Sequence, residues 1–256
     1  SEIEHLLVDR KSWEGHYLPR LLWSLERVDR QALDRLPAPG DRPHPIGLHC
    51  GSLLGRIRDM VGLVGLSYLI ADDPDLVTEM IAVTADLCYN GVKAVLERQP
   101  QFDFAHFWED ICYRAGPLVS PQFFSTQVGP YYKRITDLVN SYGIDIVSLD
   151  CDGRIDALIP TWFHNGVNTM FPIEVGVWKA EITPWRQQYG PELRGVGGVS
   201  KTIFAHDRSV IDDEITRQRP LVDLGGYIPC LDHRIPPDAI WENVQYFCDH
   251  MHQVFG

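Results

Sequence analysis

Apolar positions in this chain follow two recurring patterns. Short continuous runs suit buried strands, and longer stretches with apolar residues three and four apart suit amphipathic helices. Trp13, Tyr17, Leu21, Leu22 and Leu25 have helical spacing and end in the breaker run Leu36-Pro-Ala-Pro-Gly40. A run at 45–50 leads to Gly51 and Gly55 and predicts a strand and a turn. Asp73-Pro74 then opens a long helix, with Asp as cap and Pro in the first turn, and Leu76, Met80, Val83, Leu87, Val92 and Leu96 share one face. A strand is expected over 102–111, and Ser120-Pro121 starts a helix that stops at Gly143. The stretch 144–176 reads as strand, polar turn, helix, strand, with Pro160 expected to kink or shorten that helix. Further on, helical patterns cover about 179–189 and 207–224, and strands 193–198 and 227–231. A terminal helix opens at Pro236-Pro237-Asp238.

This alternation has about six strands, with connections long enough for helical crossovers, and implies a parallel sheet in one α/β domain spanning 1–256. Composition agrees: 45% hydrophobic and 23% charged residues are ordinary for a globular chain. The formal net charge of -12 argues against broad binding to nucleic acid or anionic membrane. No apolar run reaches the roughly 18 residues of a membrane span, and no basic-then-apolar signal segment opens the sequence. Six widely spaced cysteines form no C-x-x-C pair and read as reduced thiols of a cytoplasmic protein, with Cys88 and Cys248 expected to be buried.

In a parallel α/β protein, side chains just past the carboxyl ends of the strands meet in one crevice. Asp150, Asp152 and Glu174 fall there, and buried carboxylates are costly unless paired, hydrogen-bonded or bound to metal. Asp152-Gly153 also suits a plain turn, and Glu174 a helix cap. Asp232-His233 follows the last strand, where an imidazole can ligate metal or move a proton. Glu109-Asp110 is a further candidate, His49, Cys50 and Lys201 are weaker ones, and His164 reads as a partner for a helix terminus. Counting strand alternation back from His233 puts Cys230 on the opposite side, as a buried thiol. No phosphate-binding glycine loop and no G-x-S-x-G elbow is present.

These segments resemble the uroporphyrinogen decarboxylase superfamily, which includes cobamide-dependent methyltransferases. The resemblance is carried by Gly116-Pro-Leu-Val-Ser-Pro121, Pro130-Tyr-Tyr-Lys-Arg134, Asp150-Cys-Asp-Gly153, Gly166-Val-Asn168, Phe171-Pro-Ile-Glu174, Gly225-Gly-Tyr-Ile-Pro229, Asp232-His-Arg-Ile-Pro-Pro-Asp238 and Glu242-Asn243. It runs from about residue 10 to the C-terminus. It implies a (β/α)8 TIM-type barrel lacking its first one or two β/α units in this chain. The methyltransferase branch binds zinc through His-x-Cys-Gly and a later Cys. Asp150 and Asp152 stand at the first two positions and His233 at or near the third, so the resemblance implies a harder divalent site, with zinc on oxygen ligands, manganese or iron. Glu174, His233 and Asp110 are then the acid/base candidates. The implied activity is metal-assisted, cobamide-linked methyl transfer, with a small-molecule substrate or a corrinoid protein as partner and a homodimer as the assembly. The decarboxylase branch, metal-free and acting on a tetrapyrrole, is the alternative, and His233 matches a histidine there. A barrel without catalysis, serving as a binding module, is the third reading.

Overall fold

A computed structural model describes residues 5–99 and 101–256. Its strands, in chain order, are β1 (Gly47–Gly51), β2 (Phe104–Trp108), β3 (Cys112–Tyr113), β4 (Gly116–Pro117), β5 (Val147–Asp150), β6 (Thr169–Ile173), β7 (Arg194–Val199) and β8 (Tyr227–Leu231). β3 and β4 form a small antiparallel ribbon between β2 and β5 in the chain. The other six form one parallel sheet. They lie side by side in chain order and alternate with helices, as in a TIM-type barrel. β1 and β8 are the two edges of the sheet, with no ladder joining them among the described residues.

Side-chain alternation separates the two faces. Leu48, Cys50, Ala105, Phe107, Val147 and Leu149 are buried in the main hydrophobic core. Helices Pro74–Arg98 and Gly129–Ser141 pack against each other in that layer. Their starts follow the expected chemistry: Asp73 accepts from the Leu76 amide at 3.0 Å, and Ser120 from the Phe123 amide at 3.1 Å. A second, smaller core joins Val199, Ile203 and Phe204 to helices Arg208–Asp223 and Trp241–Phe255.

On the concave face, Phe104, His106, Ser148, Phe171, Arg194 and Ile228 line a cavity of about 700 Å³. The sheet therefore curls far enough to bring β2 and β8 around one space. Glycine permits close packing at β7, where a Cβ on Gly197 (φ 121°) would lie 2.5 Å from the Ile173 amide nitrogen. No helix among the described residues is long and apolar enough to cross a membrane.

Several expectations are corrected. The helix expected from Ile155 onwards is confined to Ile159–His164, with Pro160 in its first turn. Gly55 opens a helix, Gly55–Val61, followed by Leu63–Asp72, where only a turn was expected. The terminal helix begins at Trp241, not at the Pro236-Pro237 pair. Cys248 is exposed and Cys88 half-buried.

Candidate active site

The carboxylates at the strand ends divide into two groups. The first is buried and clamps neighbouring loops. Glu109, just past β2, accepts from the amides of Leu53, Leu54 and Gly55 at 2.7, 2.9 and 2.6 Å, and from the Tyr132 hydroxyl. These amides lie at the N-terminus of Gly55–Val61, where helical N–H groups lack intrahelical acceptors. Burial pushes the Glu109 carboxyl up, while the Tyr132 and amide bonds pull it down. Glu174, past β6, accepts from the Gly153 amide at 2.6 Å and so holds the turn after β5. Asp232, past β8, accepts from Gly176 at 2.7 Å and Lys201 at 2.9 Å, tying together the loops after β6 and β7.

The second group faces open space. Asp110, Asp150 and Asp152 each offer an oxygen, and the three atoms lie within 4.8 Å of one another. Asp110 has a left-handed backbone (φ 49°), which Asp tolerates better than most residues. Its Oδ1 accepts from the Asp152 amide at 3.0 Å, and Arg58 donates to its carbonyl. Asp150 ends β5, in register with Trp108 on one side and Phe171 on the other. Its carboxyl is pushed up to about 7 by burial, then by the charges of Asp110 and Asp152. Asp152 is also raised, by burial and Asp110, against the opposing charges of His233, Lys201 and Arg234. His233 Nε2 lies 3.7 Å from Asp152 Oδ2.

These groups line a cavity of about 750 Å³ at the carboxyl end of the sheet, with Trp108, Phe171, Pro172, Cys230 and Arg234. Apolar, acidic and basic side chains therefore share its lining. Three oxygen donors beside an imidazole form a hard ligand set suited to manganese, iron or oxygen-bound zinc.

Asp150 and Asp152 meet, but the third group within 4.8 Å is Asp110, expected as an acid/base residue, while His233, expected as the third ligand, lies beside Asp152 outside that group. Glu174 is turned toward the Gly153 backbone. Of the weaker candidates, Cys50 lies in the hydrophobic core, and the exposed His49 ring is 6.4 Å from that of His106. His164 Nδ1 lies 2.7 Å from the Pro160 carbonyl oxygen. Cys230 corrects the sequence reading: it lines this cavity. Trp108, Phe171 and Arg234 were missed, although each adjoins or lies close to a candidate in the sequence.

The family model described as Uroporphyrinogen decarboxylase (URO-D) matches residues 45–254, and the chain belongs to this family. No curated protein matches it. Among solved structures, a methyltransferase from Methanosarcina mazei aligns over 100% of this chain and 72% of its own, with TM-score 0.62 and 16% identity. At that identity the likeness is one of fold.

Proposed function

We propose that this chain is an enzyme of the URO-D superfamily that carries out metal-assisted, cobamide-linked methyl transfer. The observation that carries this reading is the meeting of Asp110, Asp150 and Asp152 within 4.8 Å at the carboxyl end of the sheet. The likeness in fold to the Methanosarcina mazei methyltransferase agrees with it. The three aspartates would hold the ion, with His233 as a fourth donor or as the proton carrier. A divalent ion bound there would supply Lewis-acid stabilisation to an anionic acceptor. Glu174 fixes the turn that carries Asp152 through its bond to Gly153. In the transfer, a lone pair of the acceptor forms the bond to the methyl carbon. The electron pair of the broken bond would leave with the corrinoid co-substrate, and His233 would take the acceptor's proton.

One observation favours the second reading, a metal-free decarboxylase. A carboxyl with its pKa near 7, as at Asp150, can hold a proton at neutral pH and deliver it to the carbon that loses CO2. Incubation with methylcobalamin and candidate acceptors separates the two. Methyl transfer predicts consumption of methylcobalamin that is abolished by a chelator and by Asp152→Asn. Chelator-insensitive turnover of a porphyrinogen, with no use of methylcobalamin, selects decarboxylation.

A further inference from the structure

The helix Gly55–Val61 is fastened to three consecutive residues at the end of β2. Glu109 accepts from the amides that open it. One turn further on, Arg58 makes the second attachment. Its guanidinium carbon lies 5.7 Å from the centre of the Trp108 ring, and its Nη1 donates to the Asp110 carbonyl oxygen. Asp59 accepts from the other two nitrogens, Nε at 3.2 Å and Nη2 at 2.7 Å. The Arg58 side chain is only 20% exposed and does not line the carboxyl-end cavity. It meets that site through Trp108 and Asp110, which do line it. These attachments settle the backbone of Asp110. The peptide before it rests on the helix, since a Cβ on Gly55 would lie 1.9 Å from the Glu109 carbonyl oxygen. The peptide after it is held at its carbonyl by Arg58. With both peptide planes fixed, both dihedrals are fixed, at a left-handed φ of 49°. A non-glycine residue keeps such a backbone only where its surroundings over-determine it. In this conformation Asp110 Oδ1 accepts from the Asp152 amide at 3.0 Å, and a carboxylate oxygen comes within 4.8 Å of those of Asp150 and Asp152.

We propose that Arg58 is the positioning residue of the aspartate cluster: by holding the Asp110 carbonyl it aims the Asp110 carboxylate at the Asp152 amide and at the space the three aspartates share. Its effect on ion affinity rests on the ion-site reading, while the positioning itself is a property of the metal-free chain. Arg58 touches neither ion nor substrate and acts through Asp110 alone. The planar fork matters here, because one group must stack on Trp108, pair with Asp59 and donate to a carbonyl at once, and an ammonium does not combine all three.

The test is a double-mutant cycle between R58M, which keeps the aliphatic stem without its donors, and D110G, which removes the carboxylate at a backbone glycine adopts freely. Hydrogen exchange of the Asp152 amide is followed by NMR in the metal-free proteins, and Mn²⁺ affinity by equilibrium dialysis. In R58M the Asp152 amide is expected to exchange about tenfold faster, the loss of one hydrogen bond to a charged group. Amides of the helix Gly129–Ser141 keep their wild-type rates, which shows that the fold is intact. R58K recovers part of the protection. Adding R58M to D110G changes the Asp152 amide no further. Mn²⁺ affinity falls about tenfold in R58M, as when a partner of a metal ligand is removed, and adding R58M to D110G lowers it no further. Unchanged exchange of the Asp152 amide in R58M, faster exchange throughout the chain, the same effect of R58M with and without D110G, or equal Mn²⁺ affinity in wild type and R58M overturns the proposal. If the exchange results hold and the wild type binds no Mn²⁺, the ion reading fails and the positioning role stands.

Discussion

At Asp150, burial and charge act in the same direction. The residue ends β5 between Trp108 and Phe171, and Asp110 and Asp152 add like charge at close range. Its pKa of about 7 in the folded chain compares with an ordinary value of 3.8. As pH rises above about 4, the unfolded chain gives up this proton while the folded chain keeps it until about 7. The stabilisation is therefore complete below the ordinary value and is lost as pH climbs through 7. Thermal melts of the metal-free protein should show Tm falling across this range. Asp150→Asn, which cannot titrate, should flatten the fall; an identical profile in the variant would show that Asp150 is ionised throughout. Asp150 and Asp152 were legible in the sequence because an acidic pair at the end of an apolar run has few structural explanations. Cys230 was misplaced because parity was counted from His233. β8 ends at Leu231, so alternation no longer applies beyond it, and Cys230 shares a face with Ile228. Arg234 gave no signal of its own, since a single exposed arginine after a strand resembles any surface cation.

Among the elements, the strands and the long helices were readable because their patterns are local: Asp73-Pro74 and Ser120-Pro121 cap helices as their sequences require. The clamps were not readable, because each joins loops distant in the chain. Glu109 reaches 54 to 56 residues back to the amides of Gly55, Leu54 and Leu53. This distinction separates strand-end carboxylates that build the rim from those that face the cavity, and it can be measured. Glu109→Ala leaves the amides and the Tyr132 hydroxyl without their acceptor and should cost at least about 3 kcal/mol in denaturant unfolding, since each buried unsatisfied donor costs about 1–3 kcal/mol. Asp152→Asn, which relieves repulsion, should cost little or stabilise the metal-free chain. Comparable losses at the two positions would refute the division.

For the molecule as a whole, the six parallel strands of a URO-D family chain gather residues from distant segments at one end of the sheet. β2 and β5 supply the aspartates, β6 the aromatic partner and Glu174, and β8 His233 and Arg234. This order of units was legible from the family resemblance, since its motifs lie at successive strand ends. The close approach of Gly197 to Ile173 across neighbouring strands is a contact that no short segment reveals. The central claim is that Asp110, Asp150 and Asp152 form a divalent-ion site. Its most direct test is equilibrium dialysis of the purified chain against Mn²⁺ or Zn²⁺, with the bound metal counted by mass spectrometry. One ion per chain is expected, with affinity falling at least about a hundredfold in Asp150→Asn and Asp152→Asn, the loss of a charged ligand. A wild-type chain that retains no ion, or variants that retain it unchanged, would contradict the account.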